Sequence, residues 1–195
     1  MTSNARSIDR FLDEIASESV APAGGTAAAV AGGLGAALCE MVCIHTVGRG
    51  ADAAGLADVR DELRTQRGHL LDLAETDAAV VDELFGASGT EARPESGAGI
   101  ERAVGVPLTT ARACLTVLEL ATDVTATGTP TAVADAATGV LLVDAALRAS
   151  LLTARHNLDR IPDPSFVDEI ERRAAEIEAR ADRAEKRAMR HVEQR

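Results

Sequence analysis

The sequence predicts an all-α protein, an up-and-down bundle of long helices, from three observations. Apolar residues recur every three or four positions along several segments, which is the period of an amphipathic helix. No segment alternates apolar and polar residues over a strand length, and no Asn-Gly or Asp-Gly pair marks a hairpin. The chain of 195 residues, 46% of them hydrophobic, has the size of one domain. We therefore expect a single domain over residues 1–195.

The first two predicted helices flank a Pro-Ala-Gly-Gly turn. Ser7, a favourable N-cap, precedes the first helix, which is expected to end before Pro22. Its apolar positions are Ile8, Phe11, Leu12 and Ile15. The second helix is predicted from near Thr26 to about His45 and is built largely of Ala and Gly. An interior glycine costs a helix roughly 1 kcal/mol relative to alanine, so glycines there indicate that another backbone approaches closely.

Three further helical segments follow. Residues 51–85 carry a long apolar stripe, and a polar loop is expected over residues 86–99. Helical periodicity resumes at Ile100 and reaches about Thr122, and Pro107 either begins a new helix or kinks the existing one. The segment "GTPTAVAD" opens an apolar helix over residues 131–155. Because it is apolar on nearly every face, this helix should lie at the centre of the protein or of an oligomer.

The last predicted helix runs from about Pro164 to the end of the chain. It is rich in Ala, Glu and Arg and carries a thin apolar seam, so it should lie against a partner or against the bundle surface. The seam consists of Ile170, Ala174, Ile177, Ala181 and Ala184.

The composition of the chain indicates which partners and which environment to expect. The chain has 31 acidic and 20 basic residues, a net charge of -11, which argues against a nucleic-acid partner. All the basic residues except Lys186 are arginine. An acidic, lysine-poor protein is typical of a high-salt host, although a GC-rich genome also replaces lysine with arginine. No apolar core of an export signal is present near the N-terminus, which favours the cytoplasm. The uncharged run over residues 26–39 is too short to span a membrane, so we expect no membrane partner.

The three cysteines are expected to be buried thiols. Cys39, Cys43 and Cys114 are few, odd in number and set in apolar segments, which does not fit a disulfide framework. His45 follows Cys43 at a spacing that points it elsewhere, so we expect no metal site.

Two acids lie at apolar positions of predicted helices. Asp77 continues the stripe of steps of three and four that runs from Leu70 to Leu84, so its carboxylate should point into the packed side. A buried ionised acid is costly, so it is either functional or caps a neighbouring helix. Asp135 lies near the start of its helix, where the helix dipole alone accounts for it.

Two other acids have simpler interpretations. Asp144 should pair with Arg148, four residues later on the same helix. Glu40 should face Arg49 or solvent.

The turn before the second helix has two interpretations. Gly24 and Gly25 followed by Thr26 at a helix start expose unpaired backbone N–H groups, which bind carboxylates or other anions. The same glycines would also make a simple bend.

Several segments, in this order, resemble one known family. "FLDEIASESVAPAGGTAAAVAGGLGAALCEMV" resembles its opening helix, glycine turn and small-residue helix, and "LAETDAAVVDEL" resembles its acidic segment. "AVGVPLTTARACLTVLELA" and "GTPTAVADAATGVLLVDAALRASLLTARHNL" resemble its later helices. The family is the cyclodeaminase/cyclohydrolase family, which comprises the C-terminal domain of formiminotransferase-cyclodeaminase and stand-alone methenyltetrahydrofolate cyclohydrolases.

The resemblance implies a dimeric all-helical fold and a tetrahydrofolate derivative as substrate, with no metal. Asp77 matches the catalytic acid of the family. The substrate-binding positions implied in the same way are Gly24, Gly25, Thr26, Gly128, Asp135 and Asn157. The chain departs from the family pattern at Ala23, Thr26, Thr129, Thr131, Ala134 and Thr153.

Three functions are therefore compared. The first is hydrolysis of 5,10-methenyltetrahydrofolate to 10-formyltetrahydrofolate, which the absence of a fused formiminotransferase domain in this sequence favours slightly. The second is formiminotetrahydrofolate cyclodeamination, with release of ammonia. The third, which the departures from the pattern support, is a non-catalytic folate-binding or scaffold role.

Overall fold

The computed structural model describes residues 7–48, 55–85 and 97–194 of the chain. These residues form six α-helices and one 3₁₀ turn at Pro130–Ala132, with no strand among them. The helices are α1 Ile8–Ile15, α2 Gly24–Val47, α3 Leu56–Phe85, α4 Gly97–Thr127, α5 Val133–Leu158 and α6 Pro164–Glu193. The all-α prediction is confirmed.

The bundle is organised around α2, α4 and α5. Helix α2 packs against α3 and α5, while α4 packs against α3, α5 and α6. Leucine and valine fill the space between them, including Leu63, Leu118, Val143 and Leu147, which are fully buried. The expected central position of α5 is confirmed because both α2 and α4 contact it.

Two interior glycines of α2 permit close packing. A Cβ atom at Gly35 would lie 2.6 Å from the carbonyl oxygen of Gly139 on α5, and one at Gly32 would lie 2.8 Å from Sγ of Cys114 on α4. Gly33 is different, since the nearest atom to its added Cβ belongs to Leu71 at 3.6 Å, an ordinary contact. The predicted approach of another backbone is therefore found at Gly35, whereas Gly32 makes room for a side chain and Gly33 makes only ordinary contacts.

Helix α1 is capped as expected but is not part of the core. The Ser7 hydroxyl accepts a hydrogen bond from the Arg10 backbone N–H at 3.2 Å. The helix ends at Ile15 and buries none of its residues, and Ile8 is 74% exposed. Ile8 and Leu12 therefore lie open to solvent in the single chain, while Phe11 and Ile15 are half-buried.

The structure shows whether a new helix begins at Pro107 and what the last helix packs against. Helix α4 is continuous through Pro107, so no new helix begins there. Helix α6 packs its seam against α4 and α5, which makes the bundle surface its partner.

The three cysteines are buried and free, as predicted. Burial raises the pKa of the Cys39 and Cys114 thiols to about 12. Burial also raises the pKa of the Cys43 thiol to about 11. These thiols are therefore protonated at neutral pH and act as small apolar side chains.

The two simpler ion-pair expectations have different outcomes. Asp144 accepts a hydrogen bond from Nε of Arg148 at 2.8 Å, which confirms the pair within α5. The expectation that Glu40 faces solvent is wrong, because Glu40 is buried and accepts hydrogen bonds from Arg64 and Arg67 of α3. Arg49, its other expected partner, lies outside the described residues.

Three helical segments are long and apolar enough to cross a membrane, judged by length and composition alone. They are Gly24–Val47, Gly99–Thr127 and Pro130–Leu158. The uncharged run over residues 26–39, which is by itself too short to span a membrane, is thus part of the longer apolar helix Gly24–Val47. Roughly half of each segment is buried inside the bundle, so part of this apolar surface is used in helix packing. The absence of a membrane partner stays a prediction.

Candidate active site

The N-terminus of α2 is capped by an acid from another helix. Ala23 occupies the N-cap position and has no side chain that can accept the free N–H groups. Asp77 of α3 takes this role: its Oδ2 accepts the Thr26 hydroxyl proton at 2.8 Å, and the Thr26 backbone N–H donates to the same carboxylate. The capping interpretation of Asp77 is therefore confirmed, and it places the acid directly against the glycine turn.

The sequence predicts Gly24 and Gly25 in a turn before the helix, but they are the first two residues of α2, where they make room for this carboxylate. A Cβ atom at Gly25 would lie 2.7 Å from Cγ of Asp77, far inside contact distance. A Cβ atom at Gly24 would meet nothing within 4 Å. Gly25 is thus required by the position of Asp77, whereas Gly24 borders open space.

Asp77 also lines a cavity of about 230 Å³. The cavity lies between the N-terminus of α2, the C-terminal part of α3, the beginning of α4 and the end of α5. Its apolar walls include Val80, Val81, Leu84 and Ile100. Asp77 is 7% exposed, so it is buried but still borders the cavity.

Three polar residues near the end of α5 complete the lining. Asn157 donates an amide hydrogen bond to the carbonyl of Ala103 at 2.7 Å, which holds the end of α5 against α4. Thr153 lies one turn earlier. Arg160 follows the helix, and its guanidinium carbon lies 5.1 Å from the centre of the Phe85 ring.

Burial raises the pKa of the Asp77 carboxyl above its ordinary range, and the two hydrogen bonds from Thr26 oppose this shift without cancelling it. Within residues 7–48, 55–85 and 97–194, no ion pair to Asp77 is found. The acid therefore takes up a proton more readily than an exposed aspartate. This property suits a general base.

Comparison with known proteins identifies the family. The family model for formiminotransferase-cyclodeaminase matches residues 7–176 of the chain. The chain belongs to this family. It is 33% identical over 174 residues to the methenyltetrahydrofolate cyclohydrolase of Methylorubrum extorquens, covering 83% of this chain and 84% of that protein.

A solved structure has the same fold. The crystal structure of formiminotetrahydrofolate cyclodeaminase from Thermotoga maritima matches with a TM-score of 0.89 and 22% identity, over 97% of both chains. The all-helical architecture described above is thus the fold of the formiminotransferase-cyclodeaminase family.

Some of the positions that the family resemblance implies meet in one place. Gly24, Gly25, Asp77 and Asn157 all line the cavity, and Thr26 holds the carboxylate of Asp77. The residues come from three helices, so this cluster is a product of the fold and not of local sequence.

Two implied positions lie elsewhere in the single chain. Gly128 packs at the other end of α2, where a Cβ would lie 2.8 Å from Cγ1 of Val42, and the next residue, Thr129, donates its N–H to Thr46. Thr46 is twenty residues from Thr26, about 30 Å along the helix. Asp135 is exposed in the first turn of α5. The structure does not bring these two residues to Asp77 within one chain, and their role in the site stays a prediction.

Metal binding has no candidate among the described residues, since no group of three or more His, Cys, Asp or Glu side chains could hold an ion there. The metal-free site stays a prediction.

Sequence reasoning did not find Arg160 and Phe85. Phe85 is the last residue of α3, and Arg160 lies in the turn after α5, so neither falls within an apolar stripe that would single it out. Their contact joins segments 75 positions apart and becomes visible only in the fold.

Proposed function

We propose that the protein is a methenyltetrahydrofolate cyclohydrolase, which converts 5,10-methenyltetrahydrofolate and water to 10-formyltetrahydrofolate. The observation that carries this proposal is Asp77, a buried acid that lines a cavity at the Gly24 end of α2 and forms no ion pair with any described residue. The identity to a protein with this activity, 33% over most of both chains, supports it.

The chemistry of the substrate matches such an acid. The methenyl bridge between N5 and N10 is part of a delocalised amidinium cation, which the Asp77 carboxylate would stabilise by its charge. The same carboxylate would orient a water molecule against the bridging carbon and accept a proton as the C–O bond forms. Cleavage of the bond from this carbon to N5 then leaves the formyl group on N10, with one proton released overall.

The size of the cavity limits what it can hold. Pockets that enclose a drug-sized ligand are commonly about 300–1,000 Å³ in volume, and this cavity is about 230 Å³. We infer that it receives the reacting ring system, while the remainder of the substrate extends through the open end of the cavity.

The test is an assay of the purified protein with each candidate substrate. Loss of the methenyl chromophore of 5,10-methenyltetrahydrofolate, above its rate in buffer, would support hydrolysis. Release of ammonia from 5-formiminotetrahydrofolate, with appearance of that chromophore, would instead identify a cyclodeaminase. Folate binding without either reaction would indicate the non-catalytic role.

We also propose that the protein is a homodimer formed through the outer faces of α2 and α5. Large apolar side chains lie on these faces, and Leu152 is 71% exposed. The others are Leu34, Ile44 and Leu141. A two-fold axis across the middle of α2 would bring the Gly24 end of one subunit to the Val47 end of the other. The Asp77 cavity would then lie near Gly128 and Asp135 of the partner subunit.

Sedimentation velocity measures the oligomeric state, and we expect the wild-type protein to sediment as a dimer and Leu141→Glu as a monomer.

Mixing two inactive variants tests whether the two subunits share a site. If Asp135 serves the partner subunit's cavity, Asp77→Asn and Asp135→Asn chains should each be inactive and recover about a quarter of the activity after exchange, because half of the molecules are heterodimers with one intact site. Failure to recover activity in exchanged heterodimers would contradict the shared site.

We further propose that the protein acts in a high-salt host, on the basis of its net charge of -11 and its single lysine. We place it in the cytoplasm because its three cysteines are free thiols, which a reducing compartment favours. Activity and unfolding temperature should both fall when salt is removed, because the surface charges then repel one another without screening. Equal activity and stability in dilute buffer would contradict the high-salt part of this proposal.

A further inference from the structure

We propose that Arg160 binds the carboxylate at the distal end of the substrate and so positions the reacting ring against Asp77. This inference rests on the proposed function, because the folate substrate carries a glutamate joined through a benzoyl group to N10. It makes Arg160 a specificity-determining residue at the open end of the cavity.

The first argument is the placement of the guanidinium. Arg160 lines the same cavity as Asp77, and its guanidinium carbon lies 5.1 Å from the centre of the Phe85 ring. An aromatic face attracts the cation and restricts its orientation, and a guanidinium carries its N–H groups at its edge in the geometry that matches a carboxylate. Phe85 thus reduces the entropy that the arginine would lose on binding an anion.

The second argument is distance. Asp77 and Phe85 lie eight residues apart on α3, which corresponds to about 12 Å along the helix axis. From the bridging carbon through the aminobenzoyl ring and the amide to the first glutamate carboxylate is roughly 10 Å, by standard bond lengths. A substrate with its methenyl bridge beside Asp77 therefore reaches the region of Phe85 and Arg160 with its tail.

The third argument is charge. Among the described residues that line the cavity, Asp77 is the one acid and Arg160 the one arginine or lysine. The substrate has the complementary order, a cationic ring at one end and carboxylates at the other. Because the chain has a net charge of -11, most of its surface repels the anionic tail of the substrate. A cation beside the cavity therefore also favours one orientation of the substrate in the cavity.

Steady-state kinetics of Arg160→Gln test the proposal with two substrates: 5,10-methenyltetrahydrofolate and the same compound with both glutamate carboxyls converted to amides. With the natural substrate, KM should rise about tenfold or more, the loss expected for a charge-assisted hydrogen bond, while kcat changes little. With the amide substrate, wild type and Arg160→Gln should differ less than threefold. Arg160→Lys should recover part of the affinity for the natural substrate.

Arg102→Gln is the matched control. Arg102 is also exposed and lies near the end of α3, where it pairs with Glu83, but it does not line the cavity. It should leave KM for both substrates unchanged. An unchanged KM in Arg160→Gln, or an equal rise for both substrates, would overturn the proposal.

The role of Arg160 and the proposed cyclohydrolase function can fail independently, and the experiments distinguish the two failures. If wild type turns over neither substrate but binds tetrahydrofolate, the proposed function fails, and the dissociation constants of wild type and Arg160→Gln for tetrahydrofolate and its diamide decide the role of Arg160. If wild type neither reacts with nor binds these compounds, both proposals are wrong.

Discussion

Two buried acids at the interface of α2 and α3 differ in how the fold treats their charge. Glu40 of α2 is 6% exposed and accepts hydrogen bonds from Nε of Arg64 at 2.9 Å and Nε of Arg67 at 3.0 Å. Asp77 of α3 is 7% exposed and receives its hydrogen bonds from Thr26, a neutral residue. The exposed fractions of the two residues are nearly the same, but the Asp77 carboxyl is surrounded by more protein, and among the described residues only Glu40 has arginine partners.

The pKa values follow this difference. At Glu40, burial raises the pKa, but the hydrogen bonds and positive charges of Arg64 and Arg67 outweigh burial, and the net pKa is lowered. At Asp77, burial outweighs the bonds from Thr26, and the pKa is raised. A structural acid is thus neutralised by arginines, whereas Asp77 faces a cavity that a cationic ligand can enter. We infer that the substrate supplies Asp77 with the positive charge that no described residue of the chain gives it.

Replacing each acid by its amide tests the comparison most strongly. In Asp77→Asn the amide oxygen can still accept from Thr26, so the helix cap is largely kept, but the side chain can no longer take a proton. We expect kcat/KM for the methenyl substrate to fall by about 10²- to 10⁴-fold, as for loss of a general base. Circular dichroism should show that the fold is unchanged.

Glu40→Gln is the control for burial and charge. It removes a buried carboxylate of the same interface that does not line the cavity. We expect turnover within a factor of about two of wild type and a loss of about 1–2 kcal/mol in the free energy of unfolding, because the hydrogen bonds to two arginines are weakened. If Asp77→Asn retains turnover to the same degree, Asp77 is only a helix cap.

The sequence predicts one of these acids better than the other, for a physical reason. Asp77 is found by its phase in an apolar stripe, since a helix places residues at steps of three and four on one side. The partners of Glu40 lie 24 and 27 positions away on another helix, and helical period carries no information about which arginines will approach it. The same applies to Arg160 and Phe85.

The fold itself was more accessible than the complete site. Helix number and approximate position follow from periodicity and from Ser, Pro and Gly at helix ends, which are local properties. Gly25 could be placed near the start of the second helix, but the contact that forbids a side chain there involves Asp77, 52 positions later. Gly128 and Asp135, which the family resemblance implies, lie far from Asp77 in a single chain, toward the other end of α2. A sequence motif does not indicate this distance.

The glycine turn offers a way to move Asp77 without removing it. In Gly25→Ala the new methyl group would lie 2.7 Å from Cγ of Asp77, so the carboxylate must shift. We expect kcat/KM to fall about 10- to 100-fold, since misplacement by about 1 Å can cost a factor of 10². Urea unfolding should show a loss of about 1–3 kcal/mol from overpacking.

Gly24→Ala is the adjacent control for this change. Its methyl group would meet nothing within 4 Å, so stability and kcat should remain close to wild type. Equal losses of activity in the two variants would show that the flexibility of the turn, and not the position of the acid, is responsible.

Removing the two arginines beside Glu40 tests what happens when a buried acid loses its positively charged partners. In the double variant Arg64→Met, Arg67→Met, Glu40 would lose both of its arginine partners and would resemble Asp77, which pairs with no cation among residues 7–48, 55–85 and 97–194. We expect a loss of about 1–3 kcal/mol in the free energy of unfolding, the cost of an unsatisfied buried polar group. Urea titration measures it, and turnover at saturating substrate should be unchanged. Restored stability in the triple variant with Glu40→Leu would confirm that the stranded carboxylate is the cause.

The smallest expected effect is the pH dependence of stability, which should have opposite sign at the two acids. Because the folded pKa of Asp77 is raised, the folded state binds more protons than the unfolded state between the ordinary aspartate value, about 3.9, and the raised value. The free energy of unfolding of wild type, minus that of Asp77→Asn, should therefore fall as pH rises through this window.

The lowered pKa of Glu40 reverses the argument. Its contribution is complete above the ordinary glutamate value, about 4.3, and is lost as pH falls through the lowered folded value, so the difference between wild type and Glu40→Gln should rise with pH. Urea unfolding of the three proteins between about pH 3 and pH 7 measures both differences, and subtraction cancels the other titrating groups. If both differences rise with pH, the Asp77 pKa is lowered and Asp77 has a compensating charge, so the substrate is not needed to supply one. If both fall, the arginines do not compensate Glu40.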